Sequence, residues 1–194
     1  MIKRVGIYAG TFDPVHAGHV TFALQAREAA HLDMVYFMPE REPRRKVGVE
    51  LYGHRYAMLE RAVRPHTHLA VLDTTDKYFS VTRTLPRLQQ LFPNSEIVLL
   101  LGSDVAQFLP QWQHVDTLVK NASFCIGIRA GADRTVIEQI FSQLGLPPER
   151  LTMIDSFAAD VTSSGIRDAL RSRRTVRGLL TSVYKYAQKE WLYL

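Results

Sequence analysis

An apolar run from Val5 to Ala9 leads through Gly10-Thr11-Phe12-Asp13-Pro14-Val15-His16-Ala17-Gly18-His19 into Val20 to Ala30, a stretch rich in Ala, Leu, Gln, Arg and Glu. The first segment reads as a buried strand and the last as a helix. A glycine turn, a proline and two histidines therefore sit at a strand-to-helix junction. In an open α/β sheet such a junction is where phosphates bind, because the first N–H groups of a helix lack intrahelical partners and the helix dipole adds positive potential. Gly10 lets the backbone approach a ligand closely, and Gly18 leaves room between the histidines. His16 and His19 are three apart, so they share one face if the helix has begun. Two imidazoles aimed at one anion can donate hydrogen bonds without permanent charge. His-x-x-His is also half of a metal site, but no further Cys or His cluster completes one nearby.

Strand-like and helix-like segments alternate along the rest of the chain. Strands are expected at Val35 to Met38, Leu69 to Leu72, Ile97 to Leu101, Phe124 to Ile128 and Leu151 to Ile154. Helices are expected at Tyr52 to Val63 (apolar at Tyr56, Leu59 and Val63), Val81 to Phe92, Val115 to Lys120, Val136 to Leu144, Ser164 to Arg171 and Ser182 to Leu192. Pro86 is expected in the first turn of its helix, where a missing N–H is tolerated. This alternation predicts an α/β fold: a Rossmann-like, doubly wound parallel sheet with helices on both faces and a small helical C-terminal extension. Loops after strands carry the ligand in such folds. Besides the opening junction, three of them hold unusual chemistry: Pro39 to Val49, basic and rich in turn formers; Gly102-Ser103-Asp104, followed by Trp112; and Val161 to Arg167, a hydroxyl-rich turn opening a helix.

The 194 residues suit a single domain, residues 1–194, with 160–194 supplying the hydroxyl-Arg turn and closing helices. At 46% hydrophobic and 22% charged the chain has the balance of a globular protein. No apolar run approaches the ~20 residues that span a bilayer, and Met1-Ile2-Lys3-Arg4 lacks the apolar region of a signal peptide. The one cysteine, Cys125, lies in the apolar run Ala122 to Ile128 and reads as a buried hydrophobe. A reducing cytoplasm is the expected location, with no membrane partner. The net charge of +5 suits an anionic partner. Nucleotide phosphates are preferred to nucleic acid, since there is no zinc finger, RNP-type aromatic motif or long basic tail. Oligomeric state is not readable from the residues.

The opening string matches Gly-x-Phe-x-Pro-x-His-x-Gly-His, a signature of the nucleotidyltransferase superfamily, whose active site resembles that of class I tRNA synthetases. The four loops together resemble the nicotinate (or nicotinamide) mononucleotide adenylyltransferases of bacterial NAD synthesis, over essentially the whole chain. Pro43-Arg44-Arg45-Lys46 resembles the family's basic loop, and His54-Arg55-Tyr56-Ala57-Met58-Leu59 the start of its next helix. Gly102-Ser103-Asp104 with Pro110-Gln111-Trp112 is similar to the family's Gly-Ala-Asp followed by tryptophan. Arg129-Ala130-Gly131 stands where the family has Arg-Pro-Gly. Val161 to Arg167 resembles Ile-Ser-Ser-Thr-x-Ile-Arg, and Val183 to Tyr193 the closing helix. One region departs: where the family carries Ser-Tyr-Thr-x-Asp-Thr-Leu before its fourth helix, this chain has Phe79-Ser80-Val81-Thr82-Arg83-Thr84-Leu85, so an Asp becomes Arg83 in the acceptor region.

The resemblance implies transfer of AMP from ATP to nicotinate mononucleotide, with release of pyrophosphate. Nicotinamide mononucleotide or phosphopantetheine as acceptor, or a regulatory module without turnover, are the alternatives. His16, His19, Lys46 and Arg167 are implied to act on the ATP phosphates, with His19 at the α-phosphate. Gly10, Thr11 and Phe12 would line the same turn, and Gly102, Asp104, Arg129, Ser163 and Ser164 would complete the nucleotide site. Asp104 either accepts from a ribose hydroxyl or caps a helix. Arg129 either flanks adenine or pairs with a carboxylate. Trp112 either stacks on the acceptor's pyridine ring or is a packing residue. Thr82 and Thr84 fall with it in the acceptor region. Mg²⁺ is expected with ATP, held mainly by phosphates and water, with no metal-ligand set supplied by the protein.

Overall fold

The computed structural model describes residues 3–44, 46–155 and 161–193. Arg45 of the basic loop and residue 160, the expected start of the C-terminal extension, lie outside them. Six parallel strands form one sheet in the order β3-β2-β1-β4-β5-β6. They are β1 (Lys3–Gly10), β2 (Met34–Pro39), β3 (Leu69–Val71), β4 (Ser95–Gly102), β5 (Ser123–Ile128) and β6 (Leu151–Asp155). The helices are α1 (Ala17–Ala29), α2 (Tyr52–Val63), α3 (Thr84–Leu91), α4 (Ser103–Ala106), α5 (Val115–Asn121), α6 (Arg134–Gln143), α7 (Ser163–Arg171) and α8 (Thr181–Lys189). This is the expected doubly wound α/β architecture. None of the described helices is long and apolar enough to cross a membrane.

The period of two along each strand builds two cores. In β4, Val98 and Leu100 face α1, α2, α7 and α8, where they meet Phe22, Met58, Leu59, Ile166 and Val183. Ile97, Leu99 and Leu101 face the opposite layer and pack with Leu85, Leu88, Leu118, Ile137 and Phe141. Each such buried side chain contributes roughly 1.5–3 kcal/mol, so the sheet is held from both faces. Cys125 is buried in the first core, and burial pushes its thiol up to about 12, the state of an inert packing residue.

Helix α1 starts at Ala17, three residues before the expected Val20, and three further elements differ from their sequence expectation. Helix α3 starts at Thr84, not Val81, because Pro86 has no N–H to give to the Thr82 carbonyl and its ring crowds that carbonyl. Helix α8 stops at Lys189: Trp191 adopts φ +56, and Leu192 N–H turns back to the Ala187 carbonyl at 2.9 Å. That turn leaves Trp191 80% exposed while Leu192 and Tyr193 become buried. Helix α4 is a single turn that no apolar periodicity announces.

Strands β1 and β4 lie side by side, with Ile7 opposite Leu99. From β1 the chain proceeds outward through β2 and β3; after β3 it crosses to β4 and proceeds the other way. The carboxyl ends of β1 and β4 therefore flank the crevice where ligands bind in open α/β sheets.

Candidate active site

A cavity of about 670 Å³ opens in that crevice. Its wall brings together Gly10, Thr11, Phe12, His16, His19, Lys46, Gly102, Asp104, Trp112, Arg129, Ser163, Ser164 and Arg167, residues spread over the whole chain. Of the residues singled out from the sequence, Thr82 and Thr84 do not line it. Thr82 lines an adjoining cavity of about 950 Å³, which shares Arg44, Phe79, Asp104 and Trp112 with the first. Thr84 lines neither of these cavities. It is 1% exposed, and its hydroxyl donates to Asp76 at 2.8 Å and accepts from the Ser80 N–H at 2.9 Å. Thr84 therefore braces the head of α3. A carboxylate does stand at that helix start, but Asp76 supplies it, bonded also by Arg87 at 2.7 Å.

The turn after β1 is shaped by Phe12. Its backbone takes φ +50, uncommon for a residue with a side chain. Its ring pays for this by packing edge-on to Tyr8 and His19 and against Phe37, with centroids 5.1–5.4 Å away. The ring lies over Gly10, where an added Cβ would come within 3.0 Å of it. Glycine at 10 and aromatic at 12 are thus one device for turning the backbone toward the cavity.

His16 is the residue before α1, and His19 is the third residue inside it. The His16 N–H donates to Nδ1 of His19 at 3.2 Å. The rings lie 3.7 Å apart, tilted by 31°. Burial, with Arg129 adding to it, lowers His16 to about 4. Burial also holds His19 well below the usual imidazole range, helped by His16, Arg129 and Lys46. Both rings are neutral at pH 7. Since Nδ1 of His19 accepts, its proton sits on Nε2, and that nitrogen is a donor. The His16 side chain faces the His19 main chain in return, so the two histidines cap the start of α1 reciprocally.

The other side of the cavity is built by α7. Thr162 caps it, accepting from the Gly165 N–H at 3.1 Å. Ser163 Oγ donates to the Pro14 carbonyl at 2.9 Å, tying α7 to the first turn. Arg167 donates to the Asp13 carbonyl at 2.6 Å, and its guanidinium lies 3.8 Å from the Asp13 carboxylate. Across the crevice, Asp104 lies in the first turn of α4, one residue past the position next to the Gly102 cap, so it is not a helix cap. It pairs with Arg129 at 3.2 Å. The Arg129 N–H in turn donates to Ser103 Oγ at 3.2 Å. Trp112 is half-buried against Phe79, with ring centroids 6.1 Å apart, and it lines both cavities. It packs and faces ligand space at once.

Sequence reasoning missed five residues. Tyr8 and Glu40 line the cavity, and burial raises the pKa of both above their ordinary ranges. Asp13 is 3% exposed, and Tyr193, near the end of the chain, donates to it at 2.6 Å. Arg55 is 1% exposed in α2. Only Arg55 left a readable signal. The buried stripe of α2 is Arg55, Met58, Leu59, Ala62 and Val63, and Arg55 occupies its first position, whereas the expected Tyr56 is only partly buried.

Known proteins resemble this chain over almost its whole length. Residues 7–169 match the cytidylyltransferase-like family. A Desulfitobacterium hafniense protein named "Probable nicotinate-nucleotide adenylyltransferase" is 33% identical over 98% of this chain and 96% of its own length. The Bacillus subtilis nicotinate-nucleotide adenylyltransferase is 29% identical over 99% of both chains. The solved Plasmodium falciparum nicotinic acid mononucleotide adenylyltransferase complexed with NaAD shares the fold, with a TM-score of 0.82 at 20% identity, covering 98% of this chain and 97% of its own. With the family model spanning most of the chain and a relative one-third identical over almost the whole length of both, the chain belongs to the nicotinate-nucleotide adenylyltransferases of the cytidylyltransferase-like family.

Proposed function

We propose that this protein transfers AMP from ATP to nicotinate mononucleotide, and that residues 1–194 act as one unit in which α7 and α8 complete the site. The observation that carries the reading is the neutral His16–His19 pair at the start of α1, in one cavity with Lys46, Arg167 and Trp112. An oxygen of the mononucleotide phosphate attacks the α-phosphorus, the bond to the β-phosphate oxygen breaks, and pyrophosphate leaves. The attacking phosphate is already ionised, so no protein base is required. The work left to the protein is alignment and stabilisation of charge.

His19 donates from Nε2 to the α-phosphate as charge builds, and His16 contacts the neighbouring phosphates. Arg167, oriented by Asp13, and Lys46, a flexible point charge, hold the β- and γ-phosphates. Thr11 and Phe12 offer backbone N–H groups, and Ser163 and Ser164 line the same wall. Asp104 and Arg129 face the nucleoside.

Mg²⁺ would accompany ATP and shield its phosphate charge. Among the described residues no group of three or more His, Cys, Asp or Glu side chains could cage a metal, and Asp13 and Asp104 already have partners. This donor set suits an ion carried by phosphates and water.

The nicotinate acceptor is preferred over nicotinamide because Arg44 and Arg83 line the cavity that holds Thr82 and Trp112. A carboxylate meets positive charge there and an amide gains less. The test is pyrophosphate release with ATP and each of nicotinate mononucleotide, nicotinamide mononucleotide and phosphopantetheine. Turnover should be fastest with nicotinate mononucleotide. Faster turnover with either of the other two would replace the acceptor assignment.

A further inference from the structure

We infer that Arg55 is a positioning residue: its guanidinium fixes the loop carrying Arg44 and Lys46 against the phosphate-binding turn. The inference rests on the reading of Lys46 as a phosphate contact.

Arg55 heads the fully buried side chains by volume and does not line the cavity. A buried guanidinium is stable only where its N–H groups find acceptors. Here the acceptors are main-chain carbonyls from three separate places. Nε donates to Glu50 at 2.9 Å, one terminal nitrogen to Thr11 at 2.8 Å, and the other to Arg41 at 3.2 Å. Thr11 belongs to the turn after β1. Arg41 and Glu50 are the two stems of the basic loop. One planar fork therefore joins both stems to the turn that meets the phosphates.

The stems are not held equally. Arg41 is anchored independently: its side chain donates to the Thr74 carbonyl at 2.5 Å and to Asp73 at 2.7 Å, and lies 4.2 Å over the Tyr52 ring. Next to it, Glu40 N–H donates to the Gly10 carbonyl at 2.9 Å and Glu42 N–H to the Lys77 carbonyl at 2.8 Å. The far stem accepts from Arg55. Among the described residues between the stems, Arg44 lies 4.2 Å over the Tyr78 ring, whereas on the far side of Lys46 Val47 is fully exposed and Gly48, at φ +67, has nothing within 4 Å of where a Cβ would be. The place of Lys46 is set by its stems, and Arg55 is the group that joins them. Lysine at 55 would keep the charge, but an ammonium radiates its donors from one point and cannot span three carbonyls as the fork does.

The test is a double-mutant cycle on kcat/KM for ATP with Arg55→Lys, Lys46→Ala and both together, with Arg55→Gln as a second variant. Lys46→Ala should cost about 10-fold or more in the natural chain and less than about 2-fold when Arg55 is changed, because Lys46 is then already displaced. Trypsin cleavage after Arg44 or Lys46 should quicken in Arg55→Lys at an unchanged melting temperature. A cycle of Arg55→Lys with Trp112→Ala, read on the acceptor, should stay multiplicative. The same cost for Lys46→Ala in both backgrounds overturns the inference. So does failure of both Arg55 variants to fold, which would make Arg55 a support of the whole domain. A harmless Lys46→Ala in the natural chain would instead remove the reading of Lys46 on which the inference stands.

Discussion

The His16 backbone N–H donates to Nδ1 of His19 at 3.2 Å, so the start of α1 decides which nitrogen of the His19 imidazole carries the proton. A helix N-terminus has spare N–H groups. Here one of them is spent on fixing a tautomer, and Nε2–H is left as the ring's donor. In ¹⁵N NMR spectra of the free protein at pH 7, His19 should show a protonated Nε2 and a bare Nδ1. The opposite tautomer, or a doubly protonated ring, would contradict the assignment.

The lowered histidines make stability depend on pH with a definite sign. His16 titrates near 6.5 when unfolded and at about 4 when folded. Between these values the unfolded chain binds more protons, so the contribution is complete above 6.5 and is lost as pH falls toward 4. The loss should reach roughly 1–3 kcal/mol for this one residue, at about 1.4 kcal/mol per pKa unit. Urea unfolding at a series of pH values, compared with His16→Asn, measures it. The variant should have the flatter profile between pH 6.5 and 4; parallel profiles would show that His16 does not carry the effect.

Tyr193→Phe should destabilise the fold by about 1–3 kcal/mol, because it leaves the buried Asp13 carboxylate without its 2.6 Å donor. Asp13 would then draw on Arg167, already 3.8 Å away, and pull it back from the cavity. The KM for ATP should rise with little change in that for the acceptor. Thermal unfolding and steady-state kinetics check the two halves separately.

Trp112 and Arg83 should govern the acceptor. Trp112→Ala should raise the acceptor KM, with a stacking loss of roughly 1 kcal/mol or more, and the fluorescence of a Trp191→Phe protein should change on adding mononucleotide. Arg83→Ser should narrow the preference for nicotinate over nicotinamide mononucleotide. If Trp112→Ala weakens ATP and leaves the acceptor KM alone, the division of the crevice between the substrates is wrong.

Segments with strong periodicity could be read directly. Helix α2 runs from Tyr52 to Val63 as its pattern requires, and the core of β4 is the apolar run Ile97 to Leu101. Local chemistry located the first turn and the head of α7, because glycines, histidines and hydroxyls at strand-to-helix junctions have few other uses. What stayed hidden depends on contacts between distant residues. Asp13 and Tyr193 are 180 positions apart. Arg55 is polar on a core stripe, and the three carbonyls that make it stable become visible only once the chain has folded. Thr84 falls with Thr82 in the segment that the family resemblance assigns to the acceptor, but the head of α3 turns its hydroxyl inward to Asp76.

The most direct test of the account is the turnover of His19→Ala with ATP and nicotinate mononucleotide, both saturating. The Nε2–H bond is expected to strengthen as charge develops on the α-phosphate. Its loss should lower kcat by about 10²-fold or more, as for removal of one oxyanion-type donor, while the acceptor KM stays within about 2-fold. A variant that keeps most of its kcat would contradict the role given to His19 and, with it, the proposed mechanism.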